Sequence, residues 1–473
     1  MREKLAELVY QGPLGQYLWR PWYDRVTLPL VTSLVFPLSR AWAAADAATA
    51  AEETGADPQA AFLRAIGGGA DRPAGAVPSR ATLALFARAR QGYVEAEAAL
   101  ETALFRRDGP DSGFTDLADT RDRAAVRFMG QRTLFALQHL RHRLPAVRFA
   151  IEGPDAVADT HGLRLARPDD AFRLSDTPPA LQLSRPVMGE SFSRRYLRED
   201  GPAEASDRAP GPLRATVLEP PGGAPDAAVI IAHGIAMEED YWGGYSMLTH
   251  WLLARNIAVL LPEGPWHGRR RAHGRHGGRY GGETVVARGP AGLIDYFATH
   301  VPELGRVTLW ARGRWGAPVG LLGISLGALT GQMALSHAGG WPAPARADAA
   351  LLVAPSDDVE ATVFDGALTR GIGATDELVA HGWTAARIAA LRPLFEPPAQ
   401  SPPALAPSRI LVALGRRDRV VPYGTGLGRC ERWAIPRANR YLRDQGHFAL
   451  ALGLPSAPEP LEHLYGLLTD SRP

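Results

Sequence analysis

The sequence predicts an α/β fold: a mainly parallel sheet with helices on both faces, preceded by an N-terminal helical region. Three observations lead there. From about residue 213 onward, short apolar runs rich in Val, Ile and Leu alternate with amphipathic segments, as expected of strands buried on both faces and joined by crossover helices. One such run, Val319-Gly-Leu-Leu-Gly-Ile324, passes straight into Ser325 and a helix-forming segment, with small residues around the serine. Up to about residue 145, apolar residues instead recur at helical spacing.

Along the chain, Arg80 to Arg107 is rich in Ala, Leu and Glu, with Leu85, Ala89, Val94 and Ala98 expected on its apolar face. Thr120 to Leu144 reads the same way through Phe128, Leu134, Leu137 and Leu140. Gly67 to Ser79 is a Gly/Pro-rich linker, and two charged, Pro-rich stretches, Arg167 to Pro186 and Asp200 to Pro212, close an N-terminal helical region and linker over residues 1–200. The sheet domain is expected over 213–473. Its strands are Ala227 to His233, Ile257 to Leu261, Val319 to Ile324, Ala349 to Val353, Ile410 to Leu414 and a final one over Arg437 to Leu442. Met247 to Ala254, Ala291 to Arg312 (kinked at Pro302) and Leu326 to His337 are its helices, and the long stretch over 356–407 is a helical insertion.

Composition narrows the function classes. The 473 residues, 46% hydrophobic, suffice for a sizeable core, and a net charge of +2 is not the strongly basic balance of a nucleic-acid binder. Lys4 is the only lysine among 52 basic residues; with 50 Gly and 40 Pro this is the coding bias of a GC-rich bacterial genome, and it lowers the weight of any Arg cluster. A lone cysteine, Cys430, leaves no intrachain disulfide to depend on an oxidising compartment. The start, Met1 to Glu7, lacks the apolar stretch of a signal peptide, and Val26 to Leu38, interrupted by Pro29 and Pro37, falls short of the roughly 20 residues that span a bilayer. The expectation is a cytoplasmic protein.

The chemistry is concentrated in three short segments. Gly323-Ile-Ser325-Leu-Gly327, between a buried strand and a helix, has the context of a nucleophile elbow, a turn so tight that only small residues fit around the serine. A serine hydroxyl is a weak nucleophile without a base. His447, in Asp444-Gln-Gly-His-Phe448 after the last strand, is the candidate base, and Asp418, in Gly415-Arg-Arg-Asp418, follows the preceding strand as the acid that orients it. Asp357 or Asp358, after Ala349 to Val353, is the alternative acid. For an oxyanion hole, one N–H is expected from Leu326 and the other from Ile235, after the strand that ends at His233-Gly234.

On these segments the region from 213 onward resembles the α/β-hydrolase superfamily. Two further stretches, His233-Gly-Ile-Ala-Met-Glu-Glu-Asp-Tyr-Trp242 and Leu261-Pro-Glu-Gly-Pro-Trp-His-Gly-Arg-Arg270, are similar to the family of abhydrolase-domain-containing protein eighteen, of which the chain would be a bacterial relative. The resemblance implies a serine hydrolase that cleaves an ester, thioester or amide bond of a small-molecule or lipid-like acyl substrate through an acyl-enzyme, without a cofactor. A non-catalytic α/β-hydrolase fold serving as a binding or scaffold module is the alternative, since fold alone does not fix activity.

Other signals carry less. His267, His273 and His276 fit no zinc spacing, and the neighbouring arginines oppose a cation, so no metal is expected. Arg269, Arg270 and Arg271 follow a strand at the end where open sheets bind ligands, and are candidates for holding an anionic substrate group. The glycines at 277, 278, 281 and 282 lack the pattern of a phosphate loop. Trp19, Trp22 and Trp42 pack on the hydrolase core or a dimer partner, with peripheral membrane contact as the alternative.

Overall fold

The computed structural model describes residues 19–67, 77–106, 113–201, 205–236, 245–274, 277–398 and 402–470. Among these, ten strands form one sheet: β1 (Leu181–Leu183), β2 (Val187–Met188), β3 (Ser193–Glu199), β4 (Arg214–Glu219), β5 (Ala227–Ala232), β6 (Ile257–Pro262), β7 (Val319–Ile324), β8 (Ala349–Val353), β9 (Ile410–Gly415) and β10 (Arg440–Arg443). Their order is β1-β3-β4-β6-β5-β7-β8-β9-β10, with β2 beside β3. All pairings from β6 to β10 are parallel, and those of β1 to β4, including β4 with β6, are antiparallel. This is the α/β-hydrolase arrangement expected from the sequence.

Alternation along β5 explains why its residues are all apolar. Ala228, Ile230 and Ala232 join one core with the helices Pro290–Trp315 and Leu326–His337, while Val229 and Ile231 join a second with Tyr245–Leu253 and Glu459–Thr469. The chain leaves β5 to one side for β6 and then crosses back to its other side for β7. The reversal makes the carboxyl ends of β5 and β7 a topological switch point, where open sheets form their ligand crevice.

The sheet reaches further toward the N-terminus than the boundary near 213. Strands β1 to β3 lie inside the stretch read as helical region and linker; β1 and β2 are too short, and β3 too rich in charge, to show a strand pattern, because they form an antiparallel edge rather than a buried centre. The 356–407 stretch is helical as expected, with Val359–Asp365, Ala367–Gly371, Ala374–Ala380 and Ala385–Ala389. The helix Pro290–Trp315 continues through Pro302. Most of the Gly67 to Ser79 linker and part of Asp200 to Pro212 lie outside the described residues.

The N-terminal helices enclose a third core of Trp42, Phe62, Phe86, Phe128 and Phe135. The first of them among the described residues runs from Pro21–Leu30 through a π-helical turn, Val31–Val35, into Phe36–Glu53. Pro37 has no N–H to give the Ser33 carbonyl, and the ring of His139 donates to it instead, Nε2 to O at 2.7 Å. The long helix Arg80–Phe105 is present, but Leu83, Phe86, Ala89, Leu100 and Leu104 face inward, and Leu85 and Val94 are exposed. Leu137 and Leu140 are likewise exposed. Ala-rich helices offer more than one apolar stripe, and here the aromatic side chains decide which one is buried.

Candidate active site

Ser325 stands at the carboxyl end of β7 with φ 56° and ψ −118°, a conformation that is strained for a residue with a side chain. The turn is held by its surroundings. The Ser325 N–H donates to the Val353 carbonyl at 2.9 Å, and the Ser325 carbonyl accepts from the Ala328 and Leu329 N–H groups. A Cβ on Gly323 would meet the Gly327 carbonyl at 2.5 Å, and one on Gly327 would overlap the Ala232 carbonyl of β5. Both glycines are required for space, as the elbow reading supposed.

The other two segments deliver their side chains to the same point. His447 Nε2 lies 2.9 Å from Ser325 Oγ, and His447 Nδ1 lies 2.7 Å from Asp418 Oδ2. The second Asp418 oxygen accepts from the Val420 and Val421 N–H groups at 2.8 and 2.9 Å, which fixes the carboxylate. With Asp418 accepting at Nδ1, the ring presents an unprotonated Nε2 to the serine hydroxyl. Burial pulls the His447 pKa down, but the charge and hydrogen bond of Asp418, and then the charge of Asp24, outweigh it, so the pKa lies above the usual histidine value.

The alternative acids are engaged elsewhere. Asp357 accepts from Arg432, and Asp358 caps the helix that starts at Val359. Asp444 pairs with Arg417.

Leu326 opens a helix, where the first N–H groups have no intrahelical acceptor, and Ile235 follows β5 across the switch point. Two histidines that sequence reading assigned no chemistry, or only a rejected one, hold this second loop. His233 Nδ1 donates to the Gly234 carbonyl while its Nε2 accepts from the Gly264 N–H at 2.9 Å. His267 Nδ1 donates to the Pro265 carbonyl and its Nε2 accepts from the Ala236 N–H at 3.3 Å. Both act as neutral rings: burial pushes His233 down to about 4, and burial with the neighbouring His233 pushes His267 well below its ordinary value. His276 and residues 237–244, part of one resemblance stretch, lie outside the described residues, and no group of metal-ligating side chains occurs among those described.

Two cavities meet at Ser325 and Ile235. One, of about 100 Å³, lies between Val31, Val35 and Phe36 of the N-terminal helix and Phe448, Ala451 and Leu452. The other, of about 150 Å³, runs between Val285, Pro290 and Leu293 and the insertion, with Val363 and Leu378 on its far wall. Sequence reading missed the N-terminal contribution because nothing local in Val31 to Phe36 distinguishes a cavity wall from any other apolar helix.

Arg269, Arg270 and Arg271, read from the sequence as candidates for holding an anionic substrate group, line neither of these cavities. Arg269 is paired with Glu263, Nε to Oε1 at 2.6 Å. Arg270 is buried and forms a two-point pair with Glu303, at 2.9 and 2.6 Å. The Arg271 guanidinium lies over the Trp42 ring, 4.4 Å from its centre. A buried guanidinium requires such partners, and for Arg269 and Arg270 they are carboxylates of the chain itself.

No family model and no curated protein matches the chain. Among solved structures it is similar to acetyl xylan esterase 1 from Thermoanaerobacterium sp. JW/SL YS485, at 15% identity over 64% of this chain and 96% of that one, with a TM-score of 0.41. A cold-adapted esterase from an Arctic intertidal metagenomic library matches at 16% identity over 60% and 97%, with a TM-score of 0.35. A lidless α/β serine hydrolase from Xanthomonas campestris matches at 18% over 61% and 100%, with a TM-score of 0.34. Likenesses this distant add nothing to the reading of the site.

Proposed function

We propose that the protein is a serine hydrolase that cleaves esters, and by the same chemistry thioesters or amides, through an acyl-enzyme on Ser325. The observation that carries this is the unbroken hydrogen-bond chain from Asp418 through His447 to a serine held on a strained turn at the switch point. His447 takes the Ser325 proton as Oγ attacks the acyl carbonyl, and Asp418 steadies the imidazolium that forms. The N–H groups of Leu326 and Ile235 receive the oxyanion. His447 then returns the proton to the leaving group, and water releases the acyl chain by the same steps in reverse.

The cavities support neutral substrates with apolar groups on both sides of the scissile bond, which includes lipid-like esters. Apart from His447, Arg132 is the only charged side chain on their described walls, and it is engaged by Ser39 Oγ and the Met129 carbonyl. The finer kinship, to the family of abhydrolase-domain-containing protein eighteen, is proposed from its two sequence stretches alone. The deciding experiment is covalent labelling with a small neutral fluorophosphonate, with Ser325→Ala as control. Labelling of the wild type that vanishes in the variant, together with a loss of ester turnover on the order of 10⁶-fold, is expected. An unlabelled, inactive wild type would leave the scaffold reading instead.

A further inference from the structure

The helix that begins with His447 is short, His447–Leu452, and its first N–H groups need acceptors. Two of them find one in a side chain from the far end of the chain. The Asp24 carboxylate accepts from the Phe448 N–H at 2.8 Å and from the Ala449 N–H at 3.1 Å. It sits so close to the preceding residue that a Cβ on Gly446 would overlap it. Gly446 has φ −89°, which any residue can adopt, so the glycine is needed for the approach of Asp24 and not for the turn itself. The same N-terminal segment grips the turn from both sides: Gln445 Nε2 donates to the Trp19 carbonyl at 2.9 Å, and Trp19 Nε1 donates to Ser456 Oγ at 3.2 Å.

We propose that Asp24 is a positioning residue for His447, through which the N-terminal helix fixes the imidazole; this rests on the hydrolase reading above. Asp24 touches neither Ser325 nor the reacting atoms. It anchors the backbone on which the base is mounted, and its half-buried negative charge is, with Asp418, one of two carboxylates that act on the ring. Arg132 lies on the wall of the same cavity and is held by Ser39 and Met129. A carboxylate facing His447 favours the imidazolium. Without it the ring stays neutral, and able to accept the serine proton, to lower pH.

The test is steady-state hydrolysis of p-nitrophenyl butyrate from pH 5 to 9 by wild type, Asp24→Ala, Asp24→Asn and Gly446→Ala, with active sites counted by fluorophosphonate titration. Asp24→Ala is expected to lower kcat per titrated site by about tenfold to a hundredfold, the range for a misplaced catalytic group, with KM little changed. Its acid limb of kcat/KM should move to lower pH. Asp24→Asn keeps an acceptor oxygen for one of the two N–H groups but sets its NH2 against the other, so it should recover only part of kcat yet retain the shifted limb. Gly446→Ala, which expels the carboxylate, should behave like Asp24→Ala. If Asp24→Ala does not fold, the limb of Asp24→Asn still decides. A purely structural Asp24 predicts fewer titratable sites or a lower Tm, with kcat per site and the acid limb unchanged, and that result overturns the proposal. A wild type that the probe does not label would instead overturn the hydrolase reading.

Discussion

Two loops leave the parallel strands on either side of β5, at the same end of the sheet, and differ sharply in what they carry. The loop after β6 carries Arg269, Arg270, Arg271, Arg279 and several histidines, yet these four arginines are buried or half-buried. Arg270 meets Glu303, and Arg279 joins Arg40 of the N-terminal helix on the fully buried carboxylate of Glu283. At Gly274 and Gly278 a Cβ would overlap the Asp46 and Ala43 carbonyls, so the loop backbone lies flat against the Phe36–Glu53 helix. The turn after β7 has no charged residue at all between Val319 and His337, yet it carries Ser325, the proposed nucleophile. Density of ionisable groups therefore marks a fastening, and a strained turn beside two distant loops marks the chemistry. Charge buried within one chain is spent on holding that chain together.

The sharpest way to break this contrast is Asp418→Asn. Its amide would turn an N–H toward His447 Nδ1 and favour the wrong tautomer, so kcat should fall on the order of 10⁴-fold with little loss of stability. Asp357→Asn and Asp358→Asn, which touch Arg432 and a helix start, should leave kcat close to wild type. Equal effects of all three in steady-state assays would mean that the acid lies elsewhere. Next comes Glu283→Gln, which leaves two buried guanidinium groups facing a neutral partner. Unfolding monitored by circular dichroism should show a loss of about 3–5 kcal/mol, whereas a loss too small to detect would deny the loop its fastening role. The smallest effect is expected from Arg269→Gln. If the residue held an anionic substrate group, the preference between a charged and a neutral ester of equal length would drop by about tenfold or more. The pairing with Glu263 predicts no change in that ratio of kcat/KM values.

The same contrast explains what could be read from the sequence. The central strands were legible because each is apolar on both faces, and the meeting of Ser325, Asp418 and His447 because each follows its strand within a few residues. Strands β1 to β3 were not, since an antiparallel edge tolerates Arg and Ser on its open face. Nor was Asp24, whose two hydrogen bonds reach across 424 and 425 positions of sequence and leave no local trace beyond the glycine at 446. The pairing of the arginines was not legible for a physical reason: a sequence states how many charges a loop has, but not which carboxylates will stand opposite them.

The grip of Trp19 and Asp24 on the turn from 445 to 456 has a consequence for how the molecule comes to life. During synthesis the residues that secure the base emerge early, and the base itself emerges more than 400 positions later. Contacts of such long sequence separation close late, after the intervening sheet has formed to bring the partners together. The nascent chain can therefore build its elbow and much of its core while still inert. On the hydrolase reading, competence arrives late, when the helix Pro21–Leu30 meets the turn that carries His447.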